Sequence, residues 1–353
     1  MTKQDLINFV LEHGSSSQKY IVRRDILDEE ISTSEMIELQ AEIVAKKHIQ
    51  KKLKQQNSDG WFGIELHGGN GIDGIVNYLI DSGVEPGQPF MRKAKEALLL
   101  NLDPDERRDR HRYPVNRNWP FSKIMTLGLL HVKGEEPEQE LVEVYNRMIK
   151  VFEDVLNVKS LDEVSRTTKV KKYQGCRLGL KDKLFPWPSE FILLSCSGVW
   201  KNEGSLKTIE DGLNHIAAFM PIPIIFDPAE NHYLGPIGTY LEYELDDCTG
   251  YKPNVFANWF IAYLRLVKIC DIRKVPYFYR PIKTLLDDIK NDTFISKLSD
   301  EQKNTVYEWF NYGMSQMPLT TSLSKTMTIT ETDILTCIYF RVLLILHYSN
   351  LQF

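Results

Sequence analysis

The stretch Gln55-Gln56-Asn57-Ser58-Asp59-Gly60-Trp61-Phe62-Gly63 decides how the rest of the chain is read. Gly60 and Gly63 admit a positive φ, and Asn57, Ser58 and Asp59 favour side-chain-to-backbone turns, so a compact loop is expected. Trp61 and Phe62 carry rings large enough to anchor such a loop on a core. The residues before it are helical in pattern. Ser32-Thr33-Ser34 offers a cap, Glu35 and Glu38 sit in the first turns, and Ile37, Ala41, Val44, Ala45 and His48 recur at three- and four-residue steps. One helix is therefore expected over 33–55, with Lys46, Lys47, Lys51, Lys52 and Lys54 gathered in its second half. After the loop, a helix over Ile72–Asp81 stops at Gly83, and Pro89 opens a second over Pro89–Asn101. So short a linker makes the two an antiparallel hairpin.

The same plan spreads outward. Further helices are expected at 3–12, 19–27, 120–132, 137–157, 188–200, 205–219, 254–270, 277–290, 299–316 and 333–348. The pairs 120–132/137–157, 188–200/205–219 and 254–270/277–290 repeat helix, short turn, helix, which points to a solenoid or a closed ring of hairpins. Two stretches resist. Residues 103–120 are charged and broken by Pro104, Pro114 and Pro120, and 221–250 is rich in proline and glycine, a long ordered loop or a region of short strands. No low-complexity linker divides the chain, so 1–353 is read as a single α-helical domain.

Composition narrows the function. The chain is 42% hydrophobic and carries 43 Lys+Arg against 48 Asp+Glu, a net charge of −5. That balance argues against a general nucleic-acid binder, which must neutralise many phosphates. Five cysteines at irregular spacings, with no CxxC pair, indicate reduced thiols. The first ten residues lack the apolar core of a signal peptide, and Ile334–Leu346 is short for a bilayer and contains Arg341, so a buried helix and a cytoplasmic location are expected. P-loop, HExxH and GxSxG motifs do not occur.

The residues Gln56, Asp59, Gly60, Trp61 and Gly63, with the Gly83 turn, the Pro89 start and the Ala94/Ala97/Leu98 face, resemble a repeat of the α/α-toroid proteins, the terpenoid cyclases and protein prenyltransferase β-subunits. The likeness covers about residues 50–101. It implies an all-α fold, an α/α toroid or a related array of antiparallel helical hairpins, in which Gln56 and Trp61 tie neighbouring repeats together.

Several residue groups can carry chemistry. Glu244-Leu245-Asp246-Asp247-Cys248 resembles the Asp-x-Asp-Asp acid of one cyclase class, with Glu244 in place of its first Asp. On that likeness Asp246 donates a proton and Asp247 helps to hold it, since one carboxylate resists a second charge beside it. The same residues also resemble the zinc ligands of the prenyltransferases, with Asp246, Cys248 and a distant His347 or His232 as the set; otherwise they form a solvated acidic turn. His67, in Glu65-Leu66-His67-Gly68-Gly69, can act as an acid–base group or close its own loop by hydrogen bonding. Gly69-Asn70-Gly71-Ile72-Asp73-Gly74 spells GxGxxG without a preceding strand, so its glycines are read as a tight turn into a helix. Trp187, beside Glu190 at a helix start, joins Trp61, Trp259 and Asp59 as candidates to line a ligand cavity. Arg107, Arg108, Arg110 and Arg112 alternate with carboxylates and read as a self-neutralised surface loop.

The resulting expectation is binding or transformation of a hydrophobic, isoprenoid-like small molecule in a central cavity, with no cofactor required. The alternative is a non-catalytic helical-repeat module that binds a protein or peptide on its concave face.

Overall fold

The computed structural model describes residues 1–64, 66–100, 119–169, 177–180, 186, 188–220, 222, 225–227, 232–234, 262–300, 303 and 330–351. Those residues are mostly helical, as the periodicity requires. Contacts gather them into two compact units, one of 1–141 with 300–347 and one of 142–299 with 348–353.

In the first unit, α1 (Lys3–His13) is opened by a reciprocal capping box between Thr2 and Asp5, and α2 (Ser16–Ile21) by one between Ser15 and Gln18. Helix α2 passes into a π turn over Val22–Ile26, where Arg24 grips Asp25 and reaches Glu85 at 2.5 Å. The helix expected over 33–55 is broken in two, α3 (Ser34–Ala45) and α4 (Lys47–Leu53). Lys46 between them turns extended, with ψ 134. One near and one distant partner hold the break: the Gln50 amide donates to the Val44 carbonyl at 2.8 Å, and Lys46 Nζ donates to Ser17 Oγ at 3.0 Å. Both Ile43 before the break and Ile49 after it are fully buried, so the redirection keeps each half on the core.

The turn between α5 (Ile72–Asp81) and α6 (Pro89–Leu99) starts at Gly83 and ends at Pro89, as its residues predict. Gln40 of α3 is buried and fastens its bend: its amide donates to the Gly83 carbonyl at 2.8 Å and its carbonyl accepts from the Glu85 N–H at 2.9 Å. Replacing Gln40 with Ala strands both backbone groups. A loss of about 2 kcal/mol is expected, read as a lower urea midpoint at unchanged slope. An unshifted midpoint would show that water substitutes for the amide.

Helix α7 (Trp119–Leu129) packs on α5 and α6. The C-terminal α13 (Glu331–Ser349) is long and apolar enough to cross a bilayer by length and composition, yet 72% of its apolar window is covered by the protein. Ile338, Val342, Leu343, Ile345 and Leu346 are core residues, which is the buried-helix arrangement expected from the sequence. Arg341 lies among them with its guanidinium over the Phe340 ring at 5.3 Å. Burial disfavours its charge, while the Asp81 carboxylate opposes that effect.

The second unit holds α9 (Pro188–Cys196), α10 (Glu203–Ala217), α11 (262–269) and α12 (Pro276–Lys290); α8 (Gln139–Asp154) leads into it. Buried Glu210 of α10 accepts the Asp271 N–H at 3.0 Å and pairs with Lys274 at 3.1 Å, which holds the turn ahead of α12. A small sheet departs from a purely helical chain. Its strands are β1 (Ser165–Thr167), β2 (Arg177–Gly179), β3 (Ile225–Asp227) and β4 (His232–Leu234), in the order β1-β2-β3-β4. The β2–β3 pair is parallel and the outer pairs antiparallel. Two of these strands, at 225–227 and 232–234, fall within the proline- and glycine-rich stretch 221–250, each between prolines (Pro223, Pro228 and Pro236) too close together for a helix of ordinary length.

Candidate active site

The Asp-Gly-aromatic loop is built as a clasp. Gly60 and Gly63 have φ of +92 and +68, and a Cβ on Gly63 would lie 1.9 Å from the Asn70 carbonyl oxygen. Asp59 accepts the Trp61 N–H at 3.0 Å, a turn made by its own side chain. The Gln56 amide donates to the Gly60 carbonyl at 2.9 Å and to the Phe90 carbonyl of α6 at 2.7 Å. Trp61 and Phe62 are buried, so this loop is pinned at both ends and gives a fixed base to the chain that follows.

That following chain, Leu66 to Gly71, turns back on the start of α5. Gly71 is the N-cap, and Asp73 stands in the first turn, where a carboxylate is favoured by the exposed N–H groups of the helix end. Asp73 is only 1% exposed. Its Oδ1 accepts the Gly68 N–H at 3.1 Å. Its Oδ2 accepts the Ser122 hydroxyl of α7 at 2.7 Å and meets His67 Nδ1 at 2.6 Å. An ionised carboxylate can only accept, so Nδ1 carries the proton toward Asp73. Neutral His67 then presents Nε2 as a lone-pair acceptor at the other ring edge, and no described residue bonds to that atom.

His67 is the opposite of Asp73 in exposure, with 47% of its side chain open to solvent. The hydrogen bond to Asp73 raises its pKa above the ordinary 6.5, burial works against that rise, and the Asp73 charge adds to it. Two further contacts hold the loop. Gly74 lets the loop lie against α5, because a Cβ there would stand 2.1 Å from the Gly68 carbonyl oxygen. Lys52 of α4 donates to the Gly69 carbonyl at 2.6 Å and faces the Tyr78 ring at 5.8 Å. Burial, helped by neighbouring Lys51, pulls the Lys52 pKa down.

The arrangement supplies a general base with an orienting carboxylate. It does not supply a serine nucleophile: Ser122 Oγ lies 3.4 Å from Nδ1, the nitrogen already engaged by Asp73, and spends its proton on the carboxylate.

Of the residues singled out from sequence, His67 is thus brought together with Asp73 and Ser122, while Asp59 and Trp61 lie in the neighbouring clasp. Glu190 is in the first turn of α9, in the second unit. His347 is in the first unit, where burial lowers its pKa against the pull of Asp25. Asp246, Asp247, Cys248, Trp187 and Trp259 lie outside the described residues, as do the arginine-rich loop and, apart from 299, 300 and 303, the helix expected over 299–316. Among the described residues, no group of three His, Cys, Asp or Glu is arranged to hold a metal. The GxGxxG stretch follows bends and opens α5, so its glycines make the close turn expected of them.

Sequence reasoning does not single out Asp73 or Ser122 as functional. Asp73 carries a local signal: it interrupts the apolar stripe of Ile72, Val76 and Leu79 on the buried side of α5. A carboxylate there needs partners. Ser122, 49 residues further on, carries none. No protein-family profile, no curated protein and no solved structure matches this chain.

Proposed function

We propose that this chain is an acid–base enzyme whose general base is His67, oriented by Asp73. The observation that carries the proposal is the pairing of a buried carboxylate with a half-exposed imidazole through Nδ1. In the forward step Nε2 takes a proton from water or a substrate hydroxyl, and the oxygen so released attacks an electrophilic centre. The imidazolium is stabilised by Asp73 and returns the proton from Nε2 to the leaving group. Hydrolysis or group transfer to a hydroxyl is the reaction class this supports.

The clasp contributes a scaffold. The Gln56 bond to the Phe90 carbonyl supports reading residues 50–101 as one unit of a helical-hairpin array of the α/α-toroid kind, with His67 on the loop between its parts. Transformation of a hydrophobic substrate by Asp246 stays a separate proposal, tested by the loss of turnover in Asp246→Asn.

The test for His67 is a panel of p-nitrophenyl esters and phosphodiesters, assayed across pH with wild type and His67→Gln. Hydrolysis by wild type is expected to fall about 10²–10⁴-fold in the variant, with a pH midpoint matching the His67 titration seen by NMR. Equal rates in the two proteins, at any level, overturn the assignment.

A further inference from the structure

Helix α7 carries two buried hydroxyls, and they are used differently. Thr126 Oγ1 donates to the Ser122 carbonyl of its own helix at 2.7 Å, as a buried helical hydroxyl commonly does. Ser122, with no exposed surface, sends its hydroxyl out of the helix to Asp73 Oδ2 at 2.7 Å. That is the oxygen against which His67 Nδ1 stands at 2.6 Å, and the two donors lie 3.4 Å apart.

Satisfying a buried carboxylate does not require this choice of oxygen. A carboxylate offers about four lone-pair sites, two on each oxygen. Among the described residues Oδ1 takes only the Gly68 N–H, at 3.1 Å, so a hydroxyl serving burial alone has room there. On Oδ2 the Ser122 and His67 protons draw on the same charge. A donor that already stabilises the carboxylate leaves less for the ring proton to gain.

We infer that Ser122 is a positioning residue for the acid–base pair: by taking one lone pair of Oδ2 it holds the carboxylate on the ring and limits the pull of Asp73 on the Nδ1 proton. The inference rests on the reading of His67 as the general base. A limited pull suits a group that must both take a proton and return it, since an imidazolium held too tightly by its carboxylate gives the proton up poorly. Asp73 supplies both influences that raise the His67 pKa, its hydrogen bond first and its charge after burial. The other charged groups on the elements packed against α5 are engaged elsewhere. On α4, Lys52 is held at the Gly69 carbonyl, Lys47, Lys51 and Lys54 are exposed, and the His48 ring stands edge-on to Tyr78. On α7, Lys123 pairs with Glu140 at 2.6 Å.

The experiment follows the His67 ring by NMR across pH in the full chain, in Ser122→Ala, in Asp73→Asn and in the double variant, with p-nitrophenyl ester hydrolysis read over the same range. Without the hydroxyl, Oδ2 is left to His67, and the His67 midpoint is expected to rise by about 0.3–0.5. The base works as neutral imidazole, so the acid limb of the rate profile moves to higher pH with it. In the Asp73→Asn background the same substitution leaves the midpoint within about 0.1, because the effect passes through the carboxylate. A hydroxyl that only packs gives the opposite sign: its loss loosens the carboxylate, and His67 titrates closer to its ordinary value. An unchanged or lowered midpoint in Ser122→Ala, or an equal rise with asparagine at 73, overturns the role. The titration needs no turnover, so a raised midpoint without hydrolysis in any of the proteins overturns the acid–base reading and not the coupling of Ser122 to His67.

Discussion

Asp73→Asn is expected to remove most of the activity while leaving the shape of the site nearly unchanged. The amide is isosteric, but its NH2 group can donate toward His67 Nδ1, which lies 2.6 Å from Asp73 Oδ2 in the wild type. Nδ1 then becomes the acceptor, the ring proton moves to Nε2, and the base has no lone pair where the substrate needs it. Where a serine protease has the aspartate behind its histidine exchanged for asparagine, the wrong tautomer lowers kcat by about 10⁴, and a loss of about 10³–10⁴ is expected here. Stability follows the same contact. Because Asp73 raises the His67 pKa, the interaction stabilises the fold fully below the unfolded value near 6.5 and is lost as pH rises through the higher folded value. The gap in urea midpoint between wild type and Asp73→Asn should therefore narrow as pH increases from 6 upward. NMR titration of His67 supplies the direct check, with its pKa falling in the variant. An unchanged His67 titration together with full activity would show that the carboxylate does not orient the ring.

Gly74→Ala is the second large effect. A Cβ at this position stands 2.1 Å from the Gly68 carbonyl oxygen and 3.3 Å from the Gly69 Cα, and the nearest obstacle is backbone. No rotamer can relieve such a clash, so the 66–71 loop must lift from α5. The cost is about 1–3 kcal/mol by analogy with other overpacked positions. The functional loss exceeds the stability loss, because lifting Gly68 withdraws its N–H from Asp73 and carries His67 away from the carboxylate. A lower melting temperature, with the His67 pKa returning toward its ordinary value, is the expected pair of results. A variant that keeps both wild-type values would show that the loop packs on α5 less tightly than the geometry states.

How much of this is legible in the sequence varies with the range of the interaction. The end of α5 and the start of α6 can be read because Gly83 and Pro89 act on their own backbone. The break at Lys46 cannot: the periodicity of 33–55 continues through it, and the partners that settle it include Ser17, nearly thirty residues away. His67 stands out as an ionisable residue on a glycine-rich loop, but its two roles are indistinguishable without its surroundings. Asp73 looks like part of a glycine motif until α5 turns it inward.

The amino-acid order by itself determined the helical character, the Asp59–Gly63 turn and the concentration of lysine along 46–54, since these depend on steric limits, local hydrogen bonding and the identity of adjacent charges. Tertiary structure alone decided that the Asp73 carboxylate would be sealed from water between Gly68, His67 and a serine on α7. A carboxylate can be buried only where donors meet it, and which donors meet it is a property of what the folded chain places around it.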